Sequence, residues 1–425
     1  MYLRGVMTNE EYIAEHREED VRQLALRRVP EGVDMRWCLQ QIEGWQLARR
    51  KLPRWAATEG LWYPMRLSME QCSSEATAQY KQQVVERLLS EDQRKSMVDL
   101  TGGLGVDFSF LAPLFQEATY VEIVPELRQL AQHNMPLLGI KNEKFFCPSS
   151  EATKVERKIK SATSPDNFSL LTFHFSFIFI DPARRDTVGR KTVGIGDCTP
   201  NLLELQDELL AHAQWVMVKL SPMLDITEAL RQLHGVSEVH VVSVRGECKE
   251  LLFVSSSQQP SGNPTIHCVN LDTDDDILTS PYPLPKRGHE PLEENLQSSI
   301  FNFQFLYEPN SSIQKAGLQD MLTERYPVRK LHPMSHLFVG DSMIPHFPGR
   351  RFRIMGWSDF SKRGLKELLG DLRQANLTVR NFPTDVASLR RRLRLNEGGE
   401  DYLFATTQAD GTHVLIRCRR AEEAY

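Results

Sequence analysis

The pattern of apolar and polar positions changes character twice along these 425 residues. Residues 1 to about 80 place apolar side chains at helical spacing between charged ones, as amphipathic helices do. Thr8, followed by Asn9, Glu10 and Glu11, offers a side-chain cap and an acidic first turn, so a helix is expected to start there. Trp37, Trp45, Trp55 and Trp62 recur through this stretch and are read as anchors of helix packing. From about residue 94, short apolar runs (MVDL, ATYVEI, FIFI, WVMVKL) alternate with helical patterns such as PELRQLAQHNMPLL and TPNLLELQDELLAHA, which predicts a parallel sheet. The runs EVHVVSV and ELLFVSS have only residues 245–249 between them, too few for a crossover helix, so they are expected to form an antiparallel hairpin. Residues 257–298 are rich in Ser, Pro and acidic side chains and are read as a surface linker or a loose strand pair. Two small α+β units should follow. The second is expected to contain strand-like FRIM, a helix near residues 362–374, strand-like LTVRNF, a helical run VASLRRRLRL and a closing hairpin, DYLFATTQADGTHVLIRC.

Composition narrows the class. A hydrophobic fraction of 41% and a charged fraction of 25% fit a folded soluble chain and exclude disorder and collagen-like repeats. The longest apolar run, LLTFHFSFIFI, falls short of the roughly 20 residues needed to cross a bilayer. No secretory signal is visible at the N-terminus. The 7 cysteines are scattered and form no C-x-x-C pair, so a reducing cytoplasm is expected, with neither disulfide framework nor zinc knuckle. His332 and His336 are four apart, but Pro333 argues against a continuous helix, and no metal site is expected. The net charge of −5 hides an asymmetry: residues 350–425 carry fifteen basic and ten acidic side chains, so the basic end points toward a polyanion.

The most informative segment is DLTGGLGVD, residues 99–107, between a predicted strand and a predicted helix. Glycines at such a turn let a ligand approach the backbone. Glu122, at the tip of the next strand, can accept two hydrogen bonds from a ribose diol. The ligand is then a dinucleotide or S-adenosylmethionine. Phe108 stands where a dinucleotide fold wants Gly or Ala, Asp99 would repel a pyrophosphate but attract a cation, and a terminal hairpin is unusual in dehydrogenase sheets. All three favour S-adenosylmethionine; a nicotinamide-dependent Rossmann oxidoreductase is the alternative. A second strand, FIFI, ends in Asp181, Pro182, Ala183, Arg184 and Arg185, and the carboxyl ends of strands in open α/β sheets face the ligand crevice.

DLTGGLGVD followed by VEIVPELRQLAQHN resembles the class I S-adenosylmethionine-dependent methyltransferases. With SMEQCSSEATAQYK, DPARRD, YEPNSSIQKAGL, SHLFVG and FPGRRFRI added, the match is to the bacterial members that carry a C-terminal THUMP-like domain. The resemblance implies an α/β fold: a Rossmann-like sheet of seven strands ending in an antiparallel hairpin, an N-terminal helical region, and small C-terminal ferredoxin-like and THUMP-like domains. The corresponding boundaries are 1–80 for the helical region, 81–256 for the methyltransferase domain, 257–350 for linker plus ferredoxin-like domain, and 351–425 for the THUMP-like domain. It implies S-adenosylmethionine bound by Asp99, Thr101, Gly103, Gly105, Glu122 and Ile123, with the segment around Cys147–Ser150 near the adenine. Asp181, Pro182 and Arg184 become the reaction-site candidates. Amino-group methylases of the class carry a second Pro and an aromatic where this chain has Ala183 and Arg184, a departure that puts amino methylation in doubt and keeps a third reading open, an inactive RNA-binding relative. THUMP domains are RNA-binding modules, so RNA is the implied partner. Arg185, Arg190, Lys191, Arg391, Arg392 and Arg394 are the basic side chains suited to its phosphates.

Overall fold

The computed structural model describes residues 7–146, 174–183, 194–256, 263–271, 273, 277–282 and 303–421. The chain divides into two compact units, one of residues 1–237 and 252–262, the other of residues 238–251 and 263–425.

The first unit opens with helices. Asn9–His16 starts at Thr8, whose hydroxyl accepts from the Glu11 amide while the Glu11 carboxylate accepts from the Thr8 amide, a complete capping box. Met35–Lys51, Pro53–Ala57 and Glu75–Leu88 follow, among others. Of the four tryptophans, Trp55 is fully buried, whereas Trp62 is 40% exposed and stacks on His133 at 3.8 Å between ring centres. The α/β part then runs β1 (Ser96–Asp99), β2 (Glu117–Val121), β3 (Glu143–Phe146), β4 (Phe175–Ile180) and β5 (Ala213–Leu220), with helices Pro125–Leu137 and Leu202–His212 between strands as the periodicity predicts. β1 pairs parallel with both β2 and β4, β2 with β3, and β4 with β5. The strands read as continuous apolar runs because helices cover both faces of a parallel sheet. In the order β3-β2-β1-β4-β5, the chain steps outward from β1 through β2 to β3 and resumes at β4 on the other side of β1. The gap between the ends of β1 and β4 is therefore the topological switch point where ligands bind in such sheets.

β6 (Val236–Val244) and β7 (Glu247–Ser255) are neighbours in the same sheet, joined by Arg245 and Gly246 with φ of 52° and 77°, the left-handed pair that a two-residue hairpin turn requires. The sheet has nine strands, correcting the expectation of seven. The extra two are β8 (Thr265–Leu271) and β9 (Leu278–Pro281), a short antiparallel pair inside the segment read as linker or loose strand pair. β8 qualifies because Ile266, Cys268 and Val269 are buried despite the polar surroundings, and it pairs parallel with β6.

The second unit also holds a seven-stranded sheet in the order β11-β12-β10-β13-β16-β15-β14. Its strands are β10 (Phe305–Pro309), β11 (Arg329–Lys330), β12 (Phe338–Gly340), β13 (Gly349–Asp359), β14 (Asn376–Arg380), β15 (Asp401–Thr407) and β16 (His413–Arg420). Only β14–β15 is parallel; the other pairs are antiparallel. Period-two alternation divides its residues between two cores. Phe404, Val414, Ile416 and Cys418 join Leu306, Val339 and Phe352 on one face. Leu403, Ala405 and Leu415 pack with Leu377, Leu389 and Leu395 on the other. The helices Lys362–Leu369 and Val386–Leu393 fall where the pattern put them, but the second stops one residue before Arg394, which adopts φ 57° as its C-cap. Among the described residues, no helix is long and apolar enough to cross a membrane.

Candidate active site

The glycine turn leaves β1 at Asp99. Its Oδ1 accepts from the Thr101 amide at 3.0 Å, and the Thr101 hydroxyl accepts from the Asp181 amide at 2.6 Å. Thr101 therefore bolts the end of β1 to the end of β4 across the switch point. Gly103 and Gly105 hold φ of 59° and 83°, left-handed values that a side chain disfavours. Gly102 matters for space: a Cβ there would come within 2.2 Å of the Tyr120 ring, whose hydroxyl donates to the Gly103 carbonyl at 2.6 Å. At Gly103 an added Cβ would meet only the Thr101 carbonyl oxygen, at 3.7 Å, so the turn presents an open face of bare backbone there. Phe108, in the helix Val106–Leu111, is fully buried edge-on against Tyr120.

The acidic groups expected here converge. Glu122 is only 7% exposed, and its two carboxylate oxygens accept from the Gly103 amide at 2.6 Å and the Val124 amide at 2.7 Å. Burial nevertheless raises its pKa above the usual carboxylate range, because those hydrogen bonds only partly offset the lost hydration. Asp99 is 1% exposed, and burial raises its pKa well above the usual value, reinforced by the negative field of Asp107, Asp181 and Glu122. Ile123 is more than half exposed beside Glu122. Asp181 lies just past β4, with Pro182 buried behind it; Ala183 and Thr199 exchange two backbone hydrogen bonds that fix the start of the loop. Arg184, Arg185, Arg190, Lys191 and Cys147–Ser150 lie outside the described residues.

Sequence reasoning missed the cationic half of the site. Lys219, on β5, donates to Asp181 Oδ2 at 2.5 Å and to the Ser73 hydroxyl at 3.1 Å, and stands 3.8 Å from Asp107. Lys81, fully buried, pairs with Asp107 Oδ1 at 3.1 Å, and the Ser73 hydroxyl donates to Asp107 Oδ2 at 2.6 Å. Burial would push the Asp107 carboxyl up, but the two ammonium groups and the hydroxyl outweigh it and hold the carboxyl below the usual range. Ser74 caps the helix that carries Lys81. Residues 71–81 therefore feed a buried Ser73–Lys81–Asp107–Lys219 network that ends on the exposed side of Asp181. The sign in the sequence was the segment SMEQCSSEATAQYK, one of those that carry the family resemblance.

In the second unit, Arg391 donates to the Ser388 hydroxyl at 3.3 Å and Arg392 lies over the Phe360 ring, both exposed. Glu238, His240 and His267 come together on β6 and β8. The two imidazoles stack 4.7 Å apart and 10° from parallel, and Glu238 engages His240 Nε2 at 3.0 Å.

This geometry has relatives. A crystal structure from Porphyromonas gingivalis W83, provisionally named a methyltransferase, is 33% identical, covers 97% of this chain and 98% of its own, and superposes with a TM-score of 0.76. Uncharacterized S-adenosylmethionine-dependent methyltransferases from two Mycobacterium tuberculosis strains are 27% identical over 70% of this chain and 73% of theirs. A ferredoxin-like domain profile matches residues 305–348, and a THUMP domain-like profile matches residues 349–420.

Proposed function

The chain belongs to the S-adenosylmethionine-dependent methyltransferases that carry a C-terminal THUMP-like domain, and on that premise we propose that it methylates RNA, at a base of ribosomal or transfer RNA. The observation that carries the reading is the bolt between β1 and β4: Thr101 holds Asp181 over the switch point, beside the bare backbone of Gly103 and two buried carboxyls. These residues fit a cationic nucleoside. The open face at Gly103 leaves room for it, Glu122 suits its ribose, and Asp99 suits its positive end. S-adenosylmethionine supplies an activated methyl group when bound.

The chain's own part is positioning. Lys219 holds the Asp181 carboxylate in one orientation at 2.5 Å. That carboxylate accepts a hydrogen bond from the acceptor nitrogen or oxygen and takes its proton as the methyl is transferred, in line, to that atom. Pro182 and the Ala183–Thr199 bridge keep the loop from drifting. Arg184, Arg185, Arg190 and Lys191 follow Asp181 directly in sequence, and we assign them to the phosphates of the substrate.

A second reading, a methyltransferase fold retained for RNA binding alone, is favoured by one observation: the Asp181 carboxylate already has a cationic partner in Lys219. Transfer of a labelled methyl group to total RNA separates the two. Incorporation establishes the enzyme, and mass spectrometry of nucleosides from a deletion strain against its parent identifies the atom. RNA binding without incorporation selects the second reading.

A further inference from the structure

Ser73 stands outside the sheet whose strand ends form the site. It follows Cys72, where the helix Arg66–Gln71 stops, and precedes Ser74, which caps the helix Glu75–Leu88. It is buried, and its hydroxyl makes three polar contacts. It donates to Asp107 Oδ2 at 2.6 Å, and accepts from Lys219 Nζ at 3.1 Å and from Lys81 Nζ at 3.4 Å. A hydroxyl has one proton and two lone pairs, so these contacts use all of it. An ammonium group only donates and an ionised carboxylate only accepts. The direction of every bond at Ser73 is therefore fixed, and the hydroxyl cannot turn without giving up a charged neighbour.

The position of Lys219 shows what this fixed hydroxyl does. The ammonium group faces two carboxylates, Asp181 at 2.5 Å and Asp107 at 3.8 Å. Attraction between opposite charges grows as they approach, so Asp107 competes with Asp181 for it. Ser73 bridges the longer of the two gaps. It occupies Asp107 Oδ2 with its proton and offers the ammonium group a lone pair instead. Lys81 holds the other oxygen of that carboxylate: its ammonium group stands 3.1 Å from Asp107 Oδ1 and donates to the Thr77 carbonyl at 3.3 Å. With the Ser73 oxygen removed, Asp107 would draw Lys219 inward and off Asp181.

We propose that Ser73 is a positioning residue for methyl transfer: through Lys219 it sets the Asp181 carboxylate against the acceptor atom. The proposal rests on the reading of Asp181 as the group that takes the acceptor's proton. It makes the N-terminal helical region part of the reaction site, because residues 71–81 supply both Ser73 and Lys81.

The test uses the full chain, labelled S-adenosylmethionine at saturation and total RNA from a deletion strain. Rates are expressed per cofactor-binding site counted by calorimetry, so a variant that folds only in part is still read. Ser73→Ala should transfer methyl about 10–100-fold more slowly, the cost of misplacing a group by about 1 Å. The loss should fall on turnover, with the RNA concentration at half-maximal rate and the cofactor affinity within about twofold of wild type. Ser73→Thr keeps the hydroxyl and should recover most of the rate. In an Asp181→Asn background, Ser73→Ala should change the residual rate by less than about threefold, because a residue that acts through Asp181 then has nothing to position. A wild-type rate in Ser73→Ala overturns the proposal and leaves the reading of the enzyme intact. Equal losses in Ser73→Ala and Ser73→Thr, or the full loss repeated in the Asp181→Asn background, mark Ser73 as packing and overturn it as well. A wild-type chain that transfers no methyl to RNA overturns both.

Discussion

The glycine turn of the first unit and the arginine cavity of the second are opposite electrostatic designs. Around the turn, four carboxyls (Asp99, Asp107, Glu122, Asp181) meet two lysines, and Asp99 and Glu122 are buried with their pKa values raised. Among the described residues that line the cavity of the second unit are five arginines and one carboxylate, Glu308. Burial pushes the two carboxyls of the turn toward their neutral form, whereas in the cavity one buried carboxylate holds two guanidinium groups in place. The lysines mark a further division within the first site. They neutralise Asp107 and orient Asp181, but among the described residues no ammonium group pairs with Asp99 or Glu122, the two carboxyls assigned to the cofactor.

The comparison breaks most visibly at Asp181. Asp181→Ala should lower methyl transfer by about 10²–10⁴-fold, the usual worth of a positioned acid or base, while S-adenosylmethionine affinity stays near normal. Near-normal turnover on RNA would move the reaction site elsewhere. Lys81 comes next. Lys81→Met leaves Asp107 short of one of its two cations in a buried setting, and a loss of about 3–5 kcal/mol is expected in denaturant unfolding; a loss under about 1 kcal/mol would show that the pair is relaxed by water.

The cofactor carboxyls should show smaller, directional effects. Glu122→Ala should weaken S-adenosylmethionine binding at least about tenfold, from a lost charge-assisted contact of roughly 1.5–3 kcal/mol; unchanged affinity by calorimetry would remove Glu122 from the site. Asp99 gives a sign test. Its folded pKa lies above its unfolded value, so its contribution to stability is greatest at pH below the unfolded value and is lost as pH rises through the folded one. A cationic ligand reverses this by favouring the ionised carboxyl. Cofactor binding below the raised pKa should therefore release a proton, seen as a binding heat that depends on the buffer's ionisation enthalpy, and Asp99→Asn should abolish that dependence. The smallest effect is expected from Arg391→Gln/Arg392→Gln/Arg394→Gln. These arginines are exposed, so the triple variant should weaken RNA binding and flatten its salt slope; identical salt dependence to wild type would leave that helix as scaffold.

What could be read from the chain was local. The capping box at Thr8, the turn at residues 99–105, Glu122 one strand later and the closing hairpin all declare themselves within a few residues. What could not be read was assembled over distance. Ser73 meets Lys219 across 146 positions, and Lys219 meets Asp181 across 38. On its own, a lysine in an amphipathic helix or at a strand end looks like surface. The cavity arginines were invisible for the same reason: a cluster of positive charge along the sequence, as in the run at 390–394, draws the eye, whereas these five converge only through the sheet. β8 was legible only as one of two alternatives, linker or loose strand pair, because its flanks are polar and its buried positions few.

The eleven residues of β13 have a consequence for how this protein can be cut or recombined. One edge of the strand pairs with β10 of the ferredoxin-like segment and the other with β16 of the THUMP-like segment. Cleaving the chain between those segments at residue 348 would leave β10 with β12 alone and give the released half an unpaired border over residues 349–353 of its longest strand. Both fragments would then display open backbone donors and acceptors, the surface on which chains aggregate or swap. The two segments are therefore expected to be inherited, expressed and lost together, as a single mechanical piece.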